Sequence, residues 1–99
     1  MGFLLVSIIT VCSMTMHEGP AECAVSVENT PVPMTMATCQ DIARKGAELE
    51  MVKILKEDHT RLPTLAQGIC VFPEDAPALL NQLPQFFEAN DIKHTLRFY

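Results

Sequence analysis

The pattern of apolar positions predicts two strands at the start of the chain. From Phe3 to Cys12, apolar side chains occupy mostly consecutive positions, and many are β-branched, which favours extended backbone. A strand that is apolar on both faces is typical of the buried centre of a sheet. From Cys23 to Glu28, apolar and polar positions alternate, which indicates a half-buried strand. We expect these two strands to pair antiparallel, because the connection is short for a helical crossover.

A helix is predicted to follow, beginning near Thr35 or Thr38. Thr38 and Asp41 together resemble a capping box. Gly46 costs about 1 kcal/mol relative to Ala inside a helix. It marks either a close approach of the helix to the sheet or a tolerated weak point. The predicted apolar stripe consists of Cys39, Ile42, Ala43, Gly46, Ala47, Met51, Ile54 and Leu55.

The second half of the chain predicts a strand, a helix and a last strand. The strands span residues 64–72 and 92–99, and the second of these alternates cleanly. Acidic residues and prolines indicate a helix start between them, with Asp75 as the cap. Pro84 is expected to kink or divide this helix. Its apolar positions are Leu79, Leu80, Leu83, Phe86 and Phe87.

The predicted order is therefore ββαβαβ within a single domain, residues 1–99. We expect an α+β, two-layer sandwich: a mixed sheet of about four strands, covered on one face by two helices. The third strand, the second helix and the last strand should form a βαβ unit with parallel strands.

The charge-free start of the chain has two other interpretations. Residues 1–17 contain no Asp, Glu, Lys or Arg, and residues 1–13 could form a signal peptide cleaved after Ser13. The missing basic residue and the β-branched content favour the strand instead. The apolar run is also short for a membrane span, which needs about 20 residues.

Composition narrows the classes of protein further. The chain is 48% hydrophobic and 19% charged, which excludes a disordered chain. Seven Lys and Arg stand against twelve Asp and Glu, a net charge of -5, which argues against a nucleic-acid partner. The sequence contains no Walker loop, dinucleotide-binding turn, HExxH, GxSxG or EF-hand motif, and we predict no cofactor.

The four cysteines, Cys12, Cys23, Cys39 and Cys70, are the candidates for special chemistry. No two form a CxxC pair, which argues against a zinc ribbon or a thioredoxin-like site. They are buried reduced core residues, two disulfides, or a weak metal site assisted by His17. The predicted topology favours Cys12 with Cys23, or Cys39 with Cys70 or another strand. Reduced cysteines would indicate the cytoplasm, and oxidised cysteines a secreted or periplasmic protein.

The cysteine order also carries a resemblance. Val11-Cys12, Cys23, Cys39-Gln40 at a helix start, and Cys70 after a strand resemble small uncharacterised four-cysteine proteins of alphaproteobacteria and their phages. The resemblance covers residues 3–72 and implies a fold and disulfides, but no activity. The chain departs from that group in lacking Trp and in having residues 73–99.

The histidines give one further catalytic hypothesis. His17 and His59 fall in predicted loops, whereas His94 lies on the inward face of the last strand. A thiol nucleophile would pair Cys70 or Cys39 with a histidine such as His94.

We therefore predict a non-catalytic accessory or interaction protein of bacterial or phage origin, with a protein partner. The alternatives are a secreted or periplasmic disulfide-stabilised domain, a phage inhibitor acting through an acidic surface, and a thiol or metal-dependent enzyme. The last strand, residues 92–99, has few features that protect a sheet edge, so we expect that it can form a homodimer.

Overall fold

The computed structural model describes residues 2–15, 21–57 and 60–99. Its sheet has four strands in the order β3-β1-β2-β4, and two helices accompany it. The predicted α+β class, the mixed sheet and the element order are confirmed. The elements are β1 (Val6–Thr15), β2 (Glu22–Asn29), α1 (Met36–Glu57), β3 (Arg61–Val71), α2 (Ala76–Ala89) and β4 (Lys93–Phe98).

The strand at the centre is β1, as its apolar pattern predicts. It pairs antiparallel with β2 on one side and with β3 on the other. β4 pairs parallel with β2. β3 and β4 therefore run in the same direction, but they lie at opposite edges of the sheet and not side by side as a βαβ unit would place them. β1 and β2 lie between β3 and β4, because they pair with each other at the centre of the sheet.

The helices lie on opposite faces of the sheet, which differs from the predicted two-layer arrangement. Consecutive strand residues point to opposite faces. Ile8 packs in a core cluster with Ala76 and Phe87 of α2. The Cδ1 atom of Ile9 lies against Gly46 of α1, where a Cβ would be 2.9 Å from it. Because β1 is apolar on both faces, each face needs its own helix to exclude water.

Small residues bring α1 close to the sheet. Cys39, Ala43 and Ala47 are buried. Gly46 lies where the helix approaches the sheet closely, which was one of the two interpretations of a glycine at this position. The predicted stripe is wider than the buried one, since Ile42 is 55% exposed and Leu55 is 47% exposed.

The start of α1 is capped one turn earlier than the predicted capping box. The amide of Thr38 donates a 3.2 Å hydrogen bond to Oγ1 of Thr35, the residue that precedes the helix. A Thr side chain at this position satisfies a backbone donor that has no partner inside the helix.

α2 differs from the prediction at Pro84 and in the capping bond at its start. Pro84 does not divide the helix. Asp75 takes the predicted N-cap position, but its side chain makes no capping hydrogen bond. At the other end, Asp91 adopts a positive φ of 56° and the amide of Ile92 bonds to the carbonyl of Phe87 at 2.8 Å. This is the pattern of a Schellman cap, and it directs the chain into β4.

Candidate functional site

All four cysteines are paired in two disulfides. Cys12 of β1 bonds to Cys23 of β2, its direct neighbour across the antiparallel ladder, with the two Cα atoms 4.0 Å apart. Cys39 in the first turn of α1 bonds to Cys70 near the end of β3, with the Cα atoms 5.9 Å apart. One disulfide therefore joins two strands and the other ties a helix to the sheet. Both pairings are among those that the predicted topology favoured.

The disulfides lie on opposite faces of the sheet. Cys12 and Cys23 belong to the core cluster under α2. Cys39 and Cys70 belong to the smaller cluster under α1. Each of the four is at most 7% exposed, so both bonds are shielded from solvent thiols.

This pairing bears on the metal and thiol hypotheses. A disulfide sulfur is neither a nucleophilic thiolate nor a zinc ligand. Cys70 points toward α1, whereas His94 lies on the other face, where its ring stacks on Phe87 with centroids 5.2 Å apart. Within residues 2–15, 21–57 and 60–99, no three His, Cys, Asp or Glu residues are placed to hold a metal ion. His17 and His59 lie outside those ranges.

The charged side chains divide unevenly between the two helix layers. From Leu62 to Ile92 the chain contains no Lys or Arg, yet it carries four carboxylates. Two of them, Glu74 and Asp75, precede α2, and the others, Glu88 and Asp91, lie at its far end. An open depression beside β4 includes the second pair; its lining is Glu22, Glu88, Asp91, Ile92, Lys93 and His94.

On α1, in contrast, acidic and basic residues are mixed. Asp41 accepts a 2.7 Å hydrogen bond from Arg44 and lies 3.0 Å from Nζ of Lys45. Hydrogen bonding and attraction from Lys45, with a smaller contribution from Arg44, lower the pKa of the Asp41 carboxyl below its ordinary value. These groups are exposed, so solvent screens the pairs and they add little stability.

The outer edge of β3 is partly closed by a side chain of α1. Gln40 Nε2 donates a 2.7 Å hydrogen bond to the carbonyl of Gly68, and Gln40 Oε1 accepts a 2.9 Å bond from the amide of Cys70. One amide side chain thus satisfies a donor and an acceptor two residues apart, as a neighbouring strand would. Pro63 lies farther along the same strand and has no amide to offer.

Removing this bridge should weaken the attachment of α1 to β3. Gln40→Leu replaces the amide by an apolar branched end and removes both hydrogen bonds. We expect the free energy of unfolding to fall by about 2 kcal/mol, about 1 kcal/mol for each lost bond, and the Cys70 amide to exchange its hydrogen faster. Urea unfolding and amide exchange measure these effects. Gln82→Leu, at an exposed position of α2, is the control. Equal losses in both variants would contradict the bridging role.

The outer edge of β4 presents backbone groups at the other side of the sheet. The amide of Tyr99 donates a 2.8 Å hydrogen bond to the carbonyl of Val27 in β2. Because backbone groups alternate in direction along a strand, the amides and carbonyls of His94, Leu96 and Phe98 point away from β2. Two aromatic side chains lie at this edge, and they are largely exposed: Phe98 by 66% and Tyr99 by 69%.

In residues 2–15, 21–57 and 60–99, fold and site together define a small α+β domain with two disulfides and an open strand edge at β4. No family model, no curated protein and no solved structure matches the chain. Among the described residues, no helix has the length and apolarity to cross a bilayer.

Proposed function

We propose that the protein is a non-catalytic interaction domain that works in an oxidising compartment, secreted or periplasmic. The observation that carries this proposal is the complete pairing of its cysteines in two buried disulfides. Disulfides persist outside the reducing cytoplasm, and they are frequent in small domains whose cores are limited. In this state the cysteines serve stability and leave no thiol for catalysis.

The size of the core supports the need for such cross-links. The two helices pack on opposite faces, and most of the buried apolar residues fall into two separate clusters. The cluster under α1 contains four buried residues, two of which are the bonded cysteines themselves. A cluster this small contributes modest hydrophobic stabilisation, and the Cys39–Cys70 bond supplements it.

The surface favours a protein partner. Nucleic acid would require clustered cations, but the described Lys and Arg residues of α1 alternate with acidic ones. The open β4 edge offers unpaired backbone groups beside two exposed aromatic residues, and strand addition uses such an edge. We assign the contact with a partner to this strand. We keep a bacterial or phage accessory protein as the proposed setting, since the cysteine order resembles that of small proteins of alphaproteobacteria and their phages.

An acidic-surface inhibitor is the weaker proposal. Such a surface requires carboxylates gathered on one face. The four carboxylates of the α2 layer instead form two pairs at opposite ends of a 14-residue helix. That helix is about 20 Å long. Asp41 and Glu22, on the other face, are already paired with basic side chains.

A thiol count on protein taken from its natural host tests the compartment. Cells are quenched with acid, and the protein is then unfolded and alkylated without reductant. We expect no cysteine to be modified, and all four to be modified once a reductant is added. The intact mass before reduction should be lower than that of the fully reduced chain by the mass of four hydrogens. Four modified cysteines without reductant would overturn the proposal, because they would place the working protein in a reducing compartment.

A further inference from the structure

We propose that β4 is the interface of a symmetric homodimer in which the two β4 strands pair antiparallel, with Leu96 on the two-fold axis. The inference rests on the proposed function of β4 as a contact strand and names the partner as a second copy of this chain. The result is a continuous eight-stranded sheet, since each copy contributes four strands.

Backbone geometry makes this pairing available. The outward groups of His94, Leu96 and Phe98 are the donors and acceptors that a new neighbour would engage. In an antiparallel ladder, pairs of residues exchange both of their hydrogen bonds at every second position. Leu96 would pair with its own copy, and His94 with Phe98 of the second copy. No backbone bond to β2 has to break, because the inward groups remain on β2.

The two sheet edges differ in how well they could accept a strand. Gln40 already occupies the Gly68 and Cys70 positions of β3, and Pro63 interrupts the donors of that strand. β4 has no proline in its six residues. An added strand could therefore form a more continuous hydrogen-bonded ladder along β4 than along β3.

Side-chain chemistry selects the register of the two β4 strands. A two-fold axis normal to the sheet keeps each face continuous, so residue pairs must come from the same face. With the axis at Thr95, Lys93 would face Arg97 of the second copy, and like charges directly opposite are destabilising. With the axis at Leu96, Lys93 faces Tyr99 and Thr95 faces Arg97. A cation beside an aromatic ring is attractive.

The same register gives the exposed aromatic residues a contact. Phe98 would lie beside His94 of the second copy, on the face where His94 stacks on Phe87. Leu96 would meet Leu96. Cross-strand aromatic and apolar pairs of this kind stabilise a sheet. Burial of Phe98 and Tyr99, each about two-thirds exposed in the monomer, would supply the apolar area.

Light scattering coupled to gel filtration tests the dimer with the intact, oxidised chain. We expect a mass twice the 11.0 kDa of the monomer at high concentration, falling on dilution. Phe98→Glu should raise the dissociation constant at least tenfold. The matched control is Leu62→Glu, at an exposed leucine of β3 on the opposite edge, which should leave it unchanged. Circular dichroism checks that both variants fold.

A second variant tests the register. Lys93→Glu should raise the dissociation constant severalfold if Leu96 lies on the axis, because each Lys93 then loses its contact with Tyr99 of the second copy. If Thr95 lies there instead, the new carboxylate would face Arg97 and binding would tighten strongly, which would overturn the proposed register. A monomeric wild type throughout the micromolar to millimolar range would overturn the homodimer. The thiol count is independent, so either proposal can fail alone.

Discussion

Replacing Cys39 and Cys70 together by alanine is expected to lower the free energy of unfolding by about 4 kcal/mol. The bond spans 31 residues, so its loss frees a long loop in the unfolded chain. It also removes the covalent tie between α1 and the sheet. Because a small domain has only about 5–15 kcal/mol of stability, this is a large share. Urea unfolding of the non-reduced variant and wild type measures the difference.

The matched control is the same replacement at Cys12 and Cys23. Their bond spans 11 residues, so we expect a smaller loss of about 3 kcal/mol. β1 and β2 are also held together by their backbone ladder, which persists without the bond. Removing both disulfides, or reducing the wild type, should leave the chain largely unfolded at room temperature. A larger loss from the Cys12–Cys23 replacement would contradict this ranking.

Gly68→Ala is expected to destabilise the protein by about 3 kcal/mol. Gly68 lies on β3 under α1, and a Cβ there would overlap the carbonyl group of Ala43 and approach Arg44 N to 2.8 Å. These are backbone atoms of a helix, so no side-chain rotation can relieve the overlap. The Cys39–Cys70 bond and Gln40 hold α1 at this distance, which prevents the helix from moving away. Urea unfolding measures the loss.

Gly46→Ala provides the control for that substitution. Its Cβ would meet only Cδ1 of Ile9, at 2.9 Å, and that atom ends a flexible side chain. Alanine also improves helix propensity by about 1 kcal/mol. The two effects oppose each other, so we expect a change within about 1 kcal/mol of the wild type. Comparable losses of stability in the two variants would show that contact with the helix backbone does not cause the loss in Gly68→Ala.

Local patterns predicted most of the elements. The consecutive apolar positions of β1, the alternation in β2 and β4, and the small and apolar residues of α1 each depend on neighbours within a few positions. The sequence pattern predicted less accurately which face of α1 packs on the sheet. Ile42 belongs to the apolar stripe by spacing but is exposed, because Gly46 and Ala43 bring the helix so close that only a narrow strip is covered.

The candidate site was predicted in part. Residues 92–99 were expected to form an open edge, and β4 is an edge strand. The protection of the other edge was not predicted, since nothing in the sequence near Gln40 indicates that its amide would bond to Gly68 and Cys70. Such a bridge depends on where a helix lies over a strand 28 residues away. The role of Gly68 was missed for the same reason.

The sequence by itself determined the class of the fold, the order of its elements and the short list of disulfide pairings. It did so because apolar periodicity and turn residues act over short separations. Only the tertiary structure decided the layers, the position of β4 and the choice of pairings. Those depend on which face of β1 each helix covers, and β1 is apolar on both. Its pattern is compatible with a helix on either face, so close packing between distant residues, such as Gly68 against Ala43, selects the arrangement.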